Sequence, residues 1–240
     1  ASFTSSNNIC EDAPLTFTNT TANTIGQIWN FGDGNTSTDS VATHFYATAG
    51  TYQVTLTAFN DTSQCPGFKT KMITILPKPQ AIFTTSVTNG CEDLVVNFTD
   101  TSIGNITGYS YNFGDNNGSA NASPTHTYLD SGVYTVNYYV VDANTCVSDT
   151  VSQNIVVYPI PTSNFTFAIL DSCTIPTDVQ FTNLSQGATG YEWTVDNSGN
   201  FLTTNNPTVT YATDGIYNIS LTAINIFGCR DSSQQTLELF

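Results

Sequence analysis

Six cysteines carry the plainest chemistry in this chain, and they fall in pairs. Cys10 and Cys65, Cys91 and Cys146, and Cys173 and Cys229 are separated by 55, 55 and 56 positions. Thiols at so regular a spacing in an exported chain read as disulfide partners. Zinc is a poor alternative, because no Cys-x-x-Cys occurs and the two histidines, His44 and His126, stand in strand-like segments. A catalytic histidine would need a nucleophile and an orienting acid, and the sequence offers no nucleophile elbow, no His-Glu-x-x-His and no comparable constellation. The acidic pairs Glu11-Asp12 and Glu92-Asp93 each directly follow a cysteine. Two adjacent carboxylates supply too few of the six to eight oxygens that Ca²⁺ takes, so these pairs read as solvated loops, with calcium as the alternative. Asp33 and Asp115 have no second carboxylate at fixed spacing. They read as turn residues: Gly32 and Gly34, like Gly114, permit positive φ, the Asp carboxylate can accept amides of its own turn, and Asn116 replaces Gly34 with the next residue most tolerant of that geometry.

The elements that position these residues recur along the chain. Trp29-Asn-Phe-Gly-Asp-Gly-Asn, Tyr111-Asn-Phe-Gly-Asp-Asn-Asn and the divergent Trp193-Thr-Val-Asp-Asn-Ser-Gly lie about 82 residues apart, and each precedes a second block: Ala49-Gly-Thr-Tyr-Gln-Val-Thr-Leu, Ser131-Gly-Val-Tyr-Thr-Val-Asn-Tyr and Asp214-Gly-Ile-Tyr-Asn-Ile-Ser-Leu. Two blocks in fixed order make the chain a tandem array, divided here at 1–78, 79–160 and 161–240. The second block alternates as a half-buried strand does: Tyr52, Val54, Leu56 and Ala58 face one way and Thr51, Gln53, Thr55 and Thr57 the other. Shorter strands are expected around it, in the first repeat near 2–5, 15–19, 28–31, 43–46 and 68–76, and no convincing helix is seen. Leu76-Pro-Lys-Pro-Gln80 and Tyr158-Pro-Ile-Pro-Thr162 join the repeats, and their prolines favour extended backbone.

Nineteen acidic residues against four basic ones give a net charge of −15, which disfavours nucleic acid as a partner. No stretch approaches the ~20 apolar residues of a membrane span, and no signal peptide is present, so the segment is expected to be an excerpt of a longer exported protein. Domains of about 80 residues bury limited cores and often lean on disulfides or neighbours.

The paired blocks resemble the polycystic-kidney-disease (PKD) repeat, whose signature is an aromatic-x-Phe-Gly-Asp-Gly turn, a His-x-Tyr strand and Gly-x-Tyr-x-Val-x-Leu. The first two copies match it well. The third departs, with Val195 for Phe, no Gly-Asp pair, and Val209 in the place of His44 and His126. The resemblance implies an all-β chain of three tandem immunoglobulin-like, seven-stranded β-sandwiches arranged end to end as a rod on the order of 100 Å long at about 3.3 Å per strand residue. It also implies extracellular or cell-surface modules without a catalytic site of their own, some of which bind Ca²⁺. In such a sandwich Cys10 lies in the loop before the second strand and Cys65 in the loop before the last, at opposite poles. One bridge per repeat and bridges between repeats, Cys10 with Cys146 and Cys91 with Cys229, therefore both stand, the pole argument leaning toward the second because a bridge spans only about 4.4–6.8 Å between Cα atoms. Cys65 and Cys173 would then await repeats outside the segment. Asp39-Ser40-Val and Asp149-Thr150-Val resemble an O-glycosylation acceptor of Bacteroidota, which would place sugars on Ser40 and Thr150. Two functions follow from the resemblance. One is a structural or adhesive segment of a surface filament, stalk or adhesin, a gliding-motility adhesin being the most specific member, whose partners are neighbouring repeats, other filament chains and a surface glycan or protein. The other is an accessory module of a secreted hydrolase, docking through exposed aromatics such as Tyr139 and Tyr111.

Overall fold

A computed structural model describes residues 1–6, 10–60, 66–171, 175–195 and 201–240. Every regular element among them is a β-strand, and none is a helix that could cross a membrane. Among the described residues seven strands fall in the first repeat, eight in the second and six in the third. The chain divides into two units, one of residues 1–84, 98–124 and 136–153 and the other of 85–97, 125–135 and 154–240, the division running through the middle repeat.

In the first unit, two sheets form the first sandwich. Phe3–Ser5, Leu15–Asn19 and Val41–His44 make one; Thr36–Ser37, Thr24–Asn30, Gly50–Asn60 and Gly67–Ile75, in that order, make the other. Between them lie Leu15, Phe17, Trp29, Phe31, Ala42, Tyr46, Val54, Leu56, Ile73 and Ile75, with Phe3 and Tyr52 at the margin. The period of two dictates this division: Val54, Leu56 and Ala58 are buried while Thr51 and Gln53 stay in water. Burying a side chain such as Leu56 contributes about 1.5–3 kcal/mol, so the inward set is the main local determinant of the sheet. In the same unit, Ile106–Asn112 pairs with Gly118–Ser119 and with the 137–142 part of Gly132–Asp142, placing Tyr111 against Tyr138 at 4.1 Å between ring centroids.

The second unit contains the third sandwich. Phe165–Ile169, Thr177–Asn183 and Thr208–Tyr211 form one sheet, and Gly190–Thr194, Gly215–Ile224 and Arg230–Leu239 the other. Its core repeats the first: Phe165, Val179, Phe181, Trp193, Val195, Tyr211, Ile219, Leu221, Leu237 and Leu239. The same unit holds Thr125–Tyr128 paired with the 94–97 part of Leu94–Asp100, and Asn89–Cys91 running parallel to 156–158.

The signature residues fix strand ends to loops. The indole of Trp29 donates to the carbonyl of Asp39, that of Trp193 to Thr204, and the Tyr111 hydroxyl donates to Ala122. Tyr46 donates its hydroxyl to the carbonyl of Phe31 and Tyr211 to that of Val195, so the third repeat keeps this bond although its turn sequence has diverged. The tyrosine of each Gly-x-Tyr block closes the turn before it: Tyr52, Tyr134 and Tyr217 donate to the carbonyls of Thr48, Asp130 and Thr213.

Candidate functional site: the clasped junctions between repeats

Within the first unit Cys10 is bonded to Cys146, and within the second Cys91 is bonded to Cys229, with Cα–Cα distances of 5.5 and 5.7 Å. Each bridge joins the first cysteine of one repeat to the second cysteine of the next. Cys65 and Cys173 lie outside the described residues. In the chain-entropy model, closing a loop of 136 or 138 residues stabilises by roughly 5 kcal/mol.

The geometry on the two sides of a bridge follows from local chemistry. Cys146 and Cys229 each end a tight loop, Asp142-Ala-Asn-Thr-Cys146 and Asn225-Ile-Phe-Gly-Cys229. The buried Asp142 carboxylate accepts the amides of Asn144 and Cys146 at 2.9 and 2.8 Å, and the Asn225 side chain accepts those of Phe227 and Cys229, both at 3.0 Å. In both, the amide of the Asx residue donates to the cysteine's own carbonyl, which closes the loop. One residue before each cysteine, Thr145 and Gly228 take positive φ, 69° and 83°. An Asx residue four positions before a cysteine was a signal available in the sequence, and it holds the sulfur at the pole that faces the preceding repeat.

On the other side stand the acidic pairs, read from the sequence as solvated loops, whose glutamates are instead held by backbone amides. Glu11 accepts the amides of Ala49 and Lys78 on its two oxygens, at 2.6 and 3.2 Å. Glu92 repeats this with Ser131 and Ile160, at 3.1 and 3.2 Å. The Ile160 amide, then Ser131, hold the Glu92 carboxyl below the usual carboxylate range. Asp12 and Asp93 take positive φ, 58° and 62°, so each pair is a turn that aims its glutamate at the proline linker. Asp12 in turn is bound by Lys78, whose ammonium lies 3.0 Å from it and 3.1 Å from Asp149 of the second repeat. Asp12 first, then Asp149, raise the Lys78 pKa. Among the described residues no three His, Cys, Asp or Glu side chains gather as a metal site would require.

The linkers are pinned at the same points. The Glu11 amide donates to the carbonyl of Leu76 and the Glu92 amide to that of Tyr158, each at 3.0 Å. At the second junction the Asn225 side chain donates to the Pro159 carbonyl at 2.7 Å, and Tyr158 stacks on Phe227 with 4.2 Å between centroids. The first junction is therefore latched by an ion pair and the second by an aromatic stack, on one shared plan of disulfide, glutamate clasp and Asx loop.

The remaining residues singled out from sequence serve the turns. Gly32 and Gly114 have φ of 84° and 87°, and Gly34 and Asn116, at matching positions, 96° and 70°. Asp33 accepts the Asn35 amide at 3.0 Å and Asp115 that of Asn117 at 3.1 Å, while Asn30 and Asn112 accept the amides of Gly32 and Gly114. His44 lies 2.7 Å from Asp33 and stacks on Phe31 at 4.2 Å, which makes it a packed strand residue. Burial pushes the Asp33 carboxyl up, but the amide and side chain of Asn35 together with His44 outweigh it and hold the group low. Burial, reinforced by the charge of Asp33, pushes the Tyr46 phenol up. Ser40 and Thr150 are exposed. Tyr111 is buried, its phenol pushed up to about 12 chiefly by that burial, so it is no part of an outer face; Tyr139 is exposed.

These repeated clasps sit in a framework with known kin. The PKD domain family matches residues 1–75, 76–157 and 156–239. The chain belongs to the PKD domain family. Over 56 residues, 23% of this PKD chain, it is 43% identical to Collagenase ColA of Bacillus cereus, and it spans 6% of that protein's length. Among solved structures it is similar to the PKD1 domain of the Vibrio cholerae metalloprotease PrtV, with 36% identity over 33% of this chain and 96% of that domain and a TM-score of 0.30. It is also similar to part of a 1.5-MDa bacterial ice-binding adhesin, with 11% identity over 95% of this chain and 90% of that one and a TM-score of 0.39. Tandem PKD domains and disulfides are typical of extracellular proteins.

Proposed function

We propose that this PKD array is a tension-bearing segment of an extracellular structural or adhesive protein at a cell surface, a stalk, filament or adhesin. The observation that carries the reading is the pair of bridges between successive repeats, Cys10–Cys146 and Cys91–Cys229. Separating two neighbouring sandwiches along either junction requires breaking a covalent bond, whereas a disulfide closed within one repeat would leave the linker as the weak point. The glutamate clasps add backbone hydrogen bonds to both linkers, at about 0.5–1.5 kcal/mol net each. Its partners on this reading are neighbouring repeats, like chains beside it and a glycan or protein ligand elsewhere on the molecule, and the array itself does no catalysis.

The test is to stretch single molecules between their termini, oxidised and then reduced. A tension-bearing array lengthens only partway when oxidised and gains the rest on adding reductant; equal lengths in the two states would overturn the reading. A second reading, a spacer beside a secreted hydrolase, draws on the 43% identity to Collagenase ColA. Retention of the oxidised chain on insoluble collagen, chitin or cellulose would favour it over the first.

A further inference from the structure

We infer that the side of the first repeat formed by Ile28, Phe68 and Met72 is a docking surface for a second copy of this chain, received on the apolar stripe that crosses the second junction of that copy. This gives the like chain of the proposed function its contact surface, and it rests on that reading.

The first surface is the outer face of a sheet. Ile28, Thr57 and Phe68 stand in one row across Thr24–Asn30, Gly50–Asn60 and Gly67–Ile75, and Asn30, Thr55 and Thr70 in the next. Met72 shares the face with Phe68, because side chains on a strand alternate with a period of two. Ile28 is 43%, Met72 57% and Phe68 74% exposed, while Trp29 and Leu56 point into the core. The hydroxyls of Thr55 and Thr70 lie 3.3 Å apart and satisfy each other, so those two can be covered without losing a partner. Lys69 and Lys71, opposite Leu56 and Val54, are exposed along the open edge of the same sheet. Lys71 donates to the Ser5 hydroxyl, and neither lysine has a carboxylate partner among the described residues. The face lies beside the sandwich and away from its joints: Thr150, as far past Tyr134 as Phe68 is past Tyr52, stays exposed in the middle repeat with the first repeat joined before it.

The second surface lies within the second unit. The Thr135 hydroxyl donates to Asn154 Oδ1 at 3.0 Å across neighbouring strands, which places Val133 beside Val156 two positions on. Tyr158 continues that outer face to the junction, where the ring of Phe227 stacks on it and Ile226 stands next in the loop. Val133 is 66%, Phe227 49% and Ile226 74% exposed, with Val156 and Tyr158 half-buried between them. A contiguous exposed apolar stripe of this kind marks an interaction surface. At the first junction the matching places hold Thr51, Thr74, Leu76, Ala143 and Asn144, so the joint itself does not require the stripe.

Charge selects the occupant. The first repeat carries three basic residues against five acidic ones, the second none against seven and the third one against seven. Exposed Asp93 and Asp130 flank the stripe, Asp93 in the turn after Cys91, which pairs with Tyr158, and Asp130 in the loop that leads to Val133. Arg230, the one basic residue near it, is already paired with Glu192 at 2.8 Å. An apolar surface rimmed by unpaired carboxylates fits an apolar surface rimmed by unpaired ammonium groups. Lys78 is held by Asp12 and Asp149, so among the described residues Lys69 and Lys71 are the basic side chains left for that purpose, and they flank Phe68 and Met72. The contact therefore joins two unlike surfaces of two copies and is heterologous.

The test is sedimentation of the oxidised chain up to millimolar concentration, as wild type and as two variants at exposed positions, Phe68→Asp and Ile226→Asp. The wild type should associate as concentration rises, and each variant alone should stay monomeric. An equimolar mixture of the two variants should form complexes of two chains and none larger, because the intact first-repeat face of the Ile226→Asp chain meets the intact stripe of the Phe68→Asp chain. Lys69→Glu combined with Lys71→Glu leaves the apolar residues in place and should weaken association about tenfold at low salt, with the difference shrinking toward 1 M salt, where the screening length is about 3 Å. A monomeric wild type would overturn the inference, as would association indifferent to Phe68→Asp or Ile226→Asp, or a mixture of the two variants that stays monomeric. Disulfide mapping of the same samples reports on the tension-bearing reading separately: intact Cys10–Cys146 and Cys91–Cys229 bridges without association sink the docking surface alone, and loss of those bridges sinks the other reading.

Discussion

At the scale of single residues the turn of the first repeat is the most constrained point. Gly32 has φ of 84°, and a Cβ there would come within 2.7 Å of the Gln53 carbonyl oxygen and 2.9 Å of its amide nitrogen, backbone atoms of the central strand that cannot yield. Gly32→Ala is expected to cost 2 kcal/mol or more by adding both clash and left-handed strain, on the order of 1–3 kcal/mol for the strain alone, measured as a lowered urea midpoint. Gly34 makes no such approach, and Asn116 stands at its counterpart, so Gly34→Asn should cost under about 1 kcal/mol. Asp33 adds a pH signature. Its carboxyl is held below its ordinary value of 3.8, so its contacts stabilise the fold fully above that value and lose their effect as pH falls through the lower folded value. Against Asp33→Asn, which keeps one acceptor for the Asn35 amide but loses the charge facing His44, the wild type should be more stable by about 1 kcal/mol at pH 7 and at pH 5, with the gap closing at pH 2.5. A gap as large at pH 2.5 as at pH 7 would remove the carboxylate from the account. Much of this was legible from the residues alone: glycines and an asparagine at matching positions require positive φ, and His or Val at one strand position implies packing. The stack of His44 on Phe31 was not, because it depends on which strands become neighbours.

At the scale of elements, the strands were legible and the junctions only half so. Alternation in 52–58 sets the inward face without any knowledge of partners, because it reflects the pleat. The strand ends proved less so: the turn strand begins at Thr24 rather than near 28, and the strand expected at 43–46 runs Val41–His44, since the ends are set by how far backbone pairing with the neighbouring strand extends and not by the side-chain pattern. The glutamate clasps were out of reach, as each ties residues 38 or 39 and 67 or 68 positions away that carry no side-chain signal at all, only amides. The Asx loop was within reach and makes a discriminating prediction. Asp142→Ala leaves two amides without their acceptor in a buried loop and should cost about 1–3 kcal/mol, while Asp142→Asn should be nearly neutral, because Asn225 fills the identical role in the third repeat. The readout is the rate at which dithiothreitol reduces Cys10–Cys146: faster in the alanine variant and unchanged in the asparagine variant. Equal acceleration in both would mean that the charge, and not the acceptor geometry, shapes the loop.

At the scale of the whole molecule, what matters is that the two disulfide loops overlap. Residues 91–146 belong to both, so the shortest covalent route from end to end runs from Ala1 to Cys10, across to Cys146, back along the chain to Cys91, across to Cys229 and on to Phe240. That route contains about 75 residue steps, and at roughly 3.5 Å each a fully unfolded oxidised chain reaches only about 260 Å. With Cys65 and Cys173 replaced by serine to keep other thiols out, removing either bridge alone, as Cys10→Ser with Cys146→Ser or as Cys91→Ser with Cys229→Ser, lengthens the route to about 101–103 steps, or roughly 350–360 Å. Removing both frees the entire chain, about 840 Å at the same rise. The first removal thus adds about 95 Å and the second about 480 Å, whichever is made first, a fivefold inequality that arises because one remaining bridge still shortcuts more than half the sequence. Pairing within single repeats would behave otherwise: in the serine background only Cys91–Cys146 could close, and since each removal takes one of its cysteines, the first would already free the entire chain and the second would add nothing. Final contour lengths of the four chains in force spectroscopy decide between the two topologies: full length reached after the first removal would overturn the interlocked arrangement, and a small first increment followed by a large second one would show that any one bridge suffices to limit how far tension can draw the array out.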